Sequence, residues 1–241
     1  MPKKDLTSLK EGMKQLNISL NEGQCRQFVL YYDLLVEWNK VMNLTGITEW
    51  EEVIVKHFID SLAIVKACNM KNIKHVIDIG TGAGFPGIPL KIVFPDIKIV
   101  LLDSLGKRIK FLDEVVSALK LTGICNVHGR AEDYAKQAEY RESFELCVSR
   151  AVAGLNILSE YCLPFVREEG FFIPYKSGKV DEEVKISQKA VKVLGGEITS
   201  QIKFQLADTD MERSFVVIKK MRATPRKYPR KAGMPSKEPI L

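Results

Sequence analysis

The chain has 241 residues, 46% of them hydrophobic and 27% charged. That supports one large domain, or one domain with an extension, and excludes a disordered chain. The net charge of +6 is uneven. Residues 219–241 hold eight Lys or Arg against one acid, so the rest of the chain is close to neutral. A basic tail of this kind points to a polyanion such as nucleic acid.

No apolar run approaches the ~18 residues of a membrane helix, and the polar N-terminus lacks the apolar core of a secretory signal. A cytoplasmic protein with no membrane association is expected. The five cysteines (Cys25, Cys68, Cys125, Cys147, Cys162) include no C-x-x-C pair and read as buried thiols. His57, His75 and His128 show no ligand spacing, so no metal is expected.

In chain order, residues 1–70 are expected to be helical. Leu6, Leu9, Met13 and Leu16 recur at spacings of three and four. A broader apolar face follows with Phe28, Tyr31, Tyr32, Leu35, Trp38, Val41 and Met42. A third run covers Val53 to Ala67, preceded by Thr48 and Glu51 in capping-box order. From residue 74 the pattern changes. Strands are expected at 75–79, 97–103, 123–128, 144–149 and 170–175, with helices ending at 94 and at 105–121, 131–138, 154–167 and 179–194. Continuous apolar strands alternating with helices imply a parallel sheet covered on both faces. Glu197–Leu206 and Ser214–Met221 are separated by a polar turn and no helix, so they pair antiparallel. The expected fold class is α/β: a Rossmann-like sheet of seven strands, mostly parallel, closing with an antiparallel hairpin. The expected divisions are a helical extension (1–70), a sheet domain (71–221) and a basic tail (222–241). The tail's four prolines (Pro225, Pro229, Pro235, Pro239) predict an extended segment.

The chemistry centres on Asp78-Ile-Gly80-Thr-Gly82-Ala-Gly84-Phe85-Pro-Gly87. Glycines at a strand-to-helix turn permit positive φ and close approach of a ligand to the backbone. Two cofactor readings fit. Gly82-x-Gly84-x-x-Gly87 matches the dinucleotide fingerprint, which would make the protein a nicotinamide-dependent dehydrogenase. Gly80-x-Gly82-x-Gly84 with Asp78 ahead matches the first motif of S-adenosylmethionine-dependent methyltransferases. Asp103, at the end of the second strand, suits the ribose hydroxyls in either reading. Asp78 and the closing hairpin favour the methyltransferase, because a carboxylate suits a cofactor with a cationic amino-acid part better than a pyrophosphate. A third reading, from another class, is a non-catalytic RNA-binding assembly factor. The chain has no Asn-Pro-Pro-Tyr or Asp-Pro-Pro-Tyr after the fourth strand and no Pro-Cys or Thr-Cys pair, which disfavours exocyclic-amine and cytosine-C5 methylation.

The segments His75–Gly87, Leu102–Arg108, Gly129–Glu132, Ser149–Val152, Trp38-Asn39 with Asn43–Thr45, His57–Leu62 and Thr224–Lys231 together resemble the small-subunit rRNA methyltransferase G (RsmG, or GidB) family, in order along nearly the whole chain. The resemblance implies transfer of methyl from S-adenosyl-L-methionine to N7 of one guanosine in the 530 loop of bacterial 16S rRNA, on the free RNA or the small ribosomal subunit. It implies cofactor contacts at Gly80 and Phe85 (methionine and ribose), Asp103 (ribose), Ala131 and Glu132 (adenine end) and Arg150 (mouth of the site). RNA contact is expected of Lys176 and of Arg226, Lys227, Arg230 and Lys231. No catalytic acid or base is expected, and a monomer is assumed.

Overall fold

The computed structural model describes residues 4–207 and 209–241. Asp208, in the polar turn before the last expected strand, lies outside the described residues. The helices are α1 (Thr7–Gln15), α2 (Glu22–Met42), α3 (Trp50–Val53), α4 (Asp60–Leu62), α5 (Gly87–Val93), α6 (Gly106–Ala118), α7 (Ala131–Tyr134), α8 (Leu155–Cys162), α9 (Asp181–Val193) and α10 (Met234–Lys237). The strands are β1 (His75–Ile79), β2 (Lys98–Asp103), β3 (Ile124–His128), β4 (Phe144–Arg150), β5 (Val166–Ser177), β6 (Gly196–Gln205) and β7 (Glu212–Lys220).

The seven strands form one sheet in the order β3-β2-β1-β4-β5-β7-β6. The first five are parallel, and β7 runs antiparallel to both β5 and β6. The final hairpin is therefore folded inward, its second strand filling the slot beside β5. Alternation along β1 assigns its side chains to opposite faces. Val76 joins the core beneath the N-terminal helices, whereas Ile77 and Ile79 join the core beneath α8 and α9. Leu9, Met13, Phe28, Tyr31 and Leu35 of α1 and α2 share the first of these cores with Ile88, Leu101 and Phe111.

Several elements differ from expectation for local reasons. The Thr48–Glu51 capping box is not formed: α3 starts at Trp50 with Glu49 at its cap and no side-chain bond. The Thr48 carbonyl instead accepts from the Tyr32 hydroxyl at 2.8 Å, and Trp50 packs edge-on against Tyr32. A capping box does form at α2, where Asn21 and Gln24 satisfy each other's backbone N–H. The third helical run is not uniform. Between α3 and α4 it loosens into a π-helical turn, Ile54–Ile59, and after α4 it tightens into a 3₁₀ turn, Ala63–Lys66. The helix expected to reach residue 167 ends at Cys162. Pro164 opens a 3₁₀ turn there, lacking the N–H a continuing helix needs. This lets β5 begin at Val166, before the expected 170. The helix expected over 131–138 is the single turn α7. Cys25, Cys147 and Cys162 are buried, Cys68 is partly so, and Cys125 is exposed on β3, an edge strand.

The basic tail is not a uniformly extended arm. It contains α10, with Pro235 in its first turn, where a missing N–H costs little. Arg141 donates to the carbonyls of Thr224 (2.7 Å) and Tyr228 (3.0 Å), and Tyr228 and Ile240 pack against the core under α8. Lys220, fully buried at the end of β7, donates to the carbonyls of Leu163 and Val166 and to Thr224 Oγ1.

Candidate cofactor and RNA site

The expected site residues Asp78, Gly80, Gly82, Gly84, Phe85, Asp103 and Arg150 gather at the carboxyl ends of β1, β2 and β4, where open α/β sheets bind ligands. The loop after β1 is held from below. Asp78 Oδ2 accepts from the Thr81 hydroxyl at 2.7 Å and from Gly87 N–H at 2.9 Å. Gly80 and Thr81 donate to the Leu102 carbonyl, and Gly82 N–H donates to Asp103 Oδ2 at 2.9 Å. The Tyr31 hydroxyl of α2 donates to the Ala83 carbonyl, tying the N-terminal helices directly to the loop. Gly80, Gly82 and Gly84 all have positive φ.

The glycines differ in what surrounds them. A Cβ on Gly87 would meet Leu101 at 2.2 Å, and one on Gly84 would crowd Ile88 and the Tyr31 hydroxyl. A Cβ on Gly82 would meet nothing within 4 Å. Gly82 therefore faces open space at the strand-to-helix turn, which is what a bound ligand requires. Asp78 lies beneath this cradle, fully buried, and its Oδ1 has no hydrogen-bond partner. Burial pushes its pKa up to about 7, against the lowering effects of Thr81, Gly87 and Arg150. An open glycine cradle above an unpartnered carboxylate oxygen fits a cofactor that brings a cation to this end of the sheet.

Asp103 is nearly fully buried and already engaged. Beside Gly82, it accepts from Leu105 N–H and from Arg108 Nη1 at 3.2 Å. Ala131 and Glu132 open α7 beyond β3. The Glu132 side chain turns to the tail, its Oε1 accepting from Gly233 N–H at 2.8 Å.

Arg150 closes the opposite side. It donates to Asp60 Oδ2 at 2.9 Å and to the Lys56 carbonyl at 3.2 Å, and its guanidinium lies over the Phe85 ring at 5.1 Å. His57 stacks on the same ring at 4.4 Å. His57 Nδ1 lies 3.0 Å from the Lys56 carbonyl, which can only accept, so Nδ1 carries the proton of the neutral ring and Nε2 accepts from the Thr45 hydroxyl at 2.9 Å. Burial and the Arg150 charge hold His57 neutral, with a pKa of about 3.

Beyond Arg150 lies a cavity of about 740 Å³, lined among others by His57, Asp60, Arg150, Lys176, Glu183 and Arg213. Ala151, at its edge, has a φ of 57°, a strained conformation for a side-chain-bearing residue and of the kind that clusters at functional sites. Asp60 bridges two arginines: Arg213 Nε donates to its Oδ1 at 3.0 Å while Arg150 takes Oδ2. Lys176 lines this cavity too, but its Nζ is tied to the Ala153 carbonyl and to Glu183 Oε1 at 2.7 Å. Sequence reasoning gave no separate role to Asp60, Glu183 or Arg213. The one local signal was a charged residue, Asp60, in the third apolar run, between Ile59 and Leu62.

In the tail, Arg226, Lys227 and Lys231 are exposed and form no ion pair among the described residues. Arg230 differs: it clasps Glu160 of α8. Lys219 and Lys220 pair with Glu169 and Glu142. Three of the eight cations of residues 219–241 are thus paired with acids elsewhere in the chain. No cluster of three or more potential metal-ligating side chains occurs among the described residues, and no helix there is long and apolar enough to cross a membrane.

Residues 24–214 match the family model described as rRNA small subunit methyltransferase G. The chain belongs to this family. It is 51% identical to the ribosomal RNA small subunit methyltransferase G of Lachnoclostridium phytofermentans, over 99% of this chain and 98% of that one. To the protein of the same name from Alkaliphilus oremlandii it is 53% identical, over 96% and 97%. The fold is also that of solved methyltransferase-like structures. TrmN from Thermus thermophilus aligns with a TM-score of 0.50 and 13% identity, over 70% of this chain and 53% of that one. M. jannaschii TYW2 in complex with AdoMet aligns with a TM-score of 0.50 and 11% identity, over 62% and 70%. These distant likenesses concern the fold alone. The family membership makes the glycine-loop reading that of a methyltransferase rather than a dehydrogenase.

Proposed function

We propose that the protein transfers a methyl group from S-adenosyl-L-methionine to N7 of a single guanosine in the 530 loop of bacterial 16S rRNA. The observation that carries this is the family match over residues 24–214 and the near-full-length relatives, together with the gathering of Asp78, Gly80, Phe85, Asp103 and Arg150 around the loop left open at Gly82. An rRNA substrate agrees with a cytoplasmic protein. The proposed division of labour gives residues 1–70 substrate recognition, 71–221 cofactor binding and transfer, and 222–241 support of the fold together with an exposed basic contribution to RNA binding. The protein is taken to act as a monomer.

When bound, S-adenosylmethionine supplies an electrophilic sulfonium methyl. The residues proposed to hold it are Asp78, Gly80, Gly82, Gly84 and Phe85 at the loop, Asp103 at the ribose, Ala131 and Glu132 at the adenine end, and Arg150 at the mouth. Asp78 acts from below, by fixing the loop through Thr81 and Gly87 and by placing a buried carboxyl under the cofactor's cationic end. Guanine N7 carries a lone pair at neutral pH, so the protein needs no general base. Its work is alignment and exclusion of water. His57, held neutral, adds no competing positive charge where the purine becomes cationic. The test is incubation of the protein and S-adenosylmethionine with unmethylated small ribosomal subunits. A new 7-methylguanosine, read as a chemical-cleavage site in 16S rRNA, is the expected result. Its absence on both subunits and free RNA overturns the proposal.

A further inference from the structure

A nucleophile inside a purine ring constrains how the ring can be held. N7 must point at the methyl donor with its lone pair free, so the protein must grip the base by another edge. Guanine offers two adjacent donors, N1–H and the 2-amino group, on the far side of the ring from N7. A carboxylate accepts from both. Adenine presents an unprotonated N1 there and is repelled by the same group. A guanine-N7 methyltransferase is therefore best served by a carboxylate in a cavity beside the cofactor cradle, large enough for an extruded nucleotide.

The cavity beyond Arg150 has two carboxylates among its lining residues, and their hydrogen bonds distinguish them. Asp60 has both oxygens engaged, one by Arg150 and one by Arg213. Glu183 makes its contacts through one oxygen only: Oε1 accepts from Lys176 Nζ at 2.7 Å and from Leu155 N–H. Its Oε2 has no hydrogen-bond partner among the described residues. Resting on the methyl-transfer reading above, we propose that this cavity is the target-base pocket and that the free Oε2 of Glu183 accepts from the N1–H and 2-amino edge of guanine. Arg150 and Arg213, locked by Asp60, and Lys176, locked by Glu183, supply the positive wall facing the flanking phosphates. Lys176 is then a positioning residue for Glu183 rather than a free RNA contact. After the strained Ala151, Val152 both lines this pocket and lies against Gly80 of the cradle.

Glu183→Gln tests the assignment, because it keeps an acceptor for Leu155 and Lys176 while placing an amide donor beside the guanine donors. Four measurements are made on the full chain: S-adenosylmethionine affinity by calorimetry, Tm, kcat/KM on unmethylated small subunits, and kcat/KM on subunits carrying inosine, which lacks the 2-amino group, at the target. Expected are unchanged cofactor affinity, a Tm lower by no more than a few degrees from loss of the Lys176 ion pair, and a fall of about 10–100-fold in kcat/KM on guanosine, the size of one good base-edge contact. The wild-type preference for guanosine over inosine should also collapse in the variant. Wild-type kcat/KM in Glu183→Gln, or an undiminished guanosine-to-inosine ratio, overturns the role of Glu183. Failure of the wild-type protein to form any 7-methylguanosine overturns the underlying reading instead.

Discussion

Arg230 grips Glu160 in a fork: Nε lies 3.0 Å from Oε1 and Nη2 lies 2.7 Å from Oε2, with the Arg230 backbone N–H adding a third bond to Oε1 at 2.8 Å. Glu160 is almost wholly buried on α8, so the arginine is its main compensating charge. Arg230→Ala leaves a buried carboxylate with a single backbone donor. The expected cost is about 1–3 kcal/mol, seen as a Tm lower by several degrees. Removal of residues 222–241 should lower stability further and also weaken cofactor binding, because Gly233 holds Glu132 at the proposed adenine end. Unchanged Tm in the point variant would refute the tail's structural role.

Gly82→Ala separates the cradle from the fold. The residue has φ 63° and open space at the Cβ position. The backbone strain should cost about 1–2 kcal/mol, and the protein should stay folded. The methyl group would stand where the cofactor approaches, so S-adenosylmethionine affinity should fall at least tenfold by calorimetry. Retained affinity would place the cofactor elsewhere.

Asp78 gives the native state a proton that the unfolded chain does not hold. Its pKa is raised to about 7, so this contribution to stability is fully present below about pH 4 and is lost as pH rises through 7. Asp78→Asn lacks that dependence. Urea midpoints of the wild type relative to this variant should decline between pH 4 and 8, and a flat difference would show that Asp78 is ionised throughout.

His57 acts in the opposite sense. Its pKa falls to about 3 in the folded protein, while the unfolded chain binds a proton below about pH 6.5. Wild-type stability should therefore drop as pH falls from about 6.5 toward 3, and His57→Gln should lack this slope. Methyl transfer should show no inflection assignable to His57 between pH 6 and 8. An inflection removed by His57→Gln would mean the imidazole titrates in the working range.

The glycine loop was legible because its determinants are local: a short apolar strand, glycines at alternate positions and an acid before them. The parallel order was legible from strand–helix alternation. The cavity wall was not. Asp60 and Arg213 are 153 residues apart and meet only because β7 inserts beside β5. Spacing alone says that β6 and β7 pair, but not which of them faces the parallel strands. Charge counting failed at Arg230 and Lys176 for a related reason. Each carries the sequence signature of a solvated cation, but Arg230 meets an acid 70 residues away on α8, and Lys176 meets Glu183 only because the chain turns back from β5 into α9.

The strand order also has a consequence for synthesis. β6 is bonded to β7 alone, and β5 needs β7 to cover its free edge. Yet β7 is the last strand of the sheet in chain order. While this last strand is still being made, the nascent chain holds an open sheet edge and an unpartnered β6, both prone to pairing with other chains. A nascent chain stalled before Glu212 therefore lacks all of β7, and its expected fate is capture by chaperones or degradation rather than partial activity.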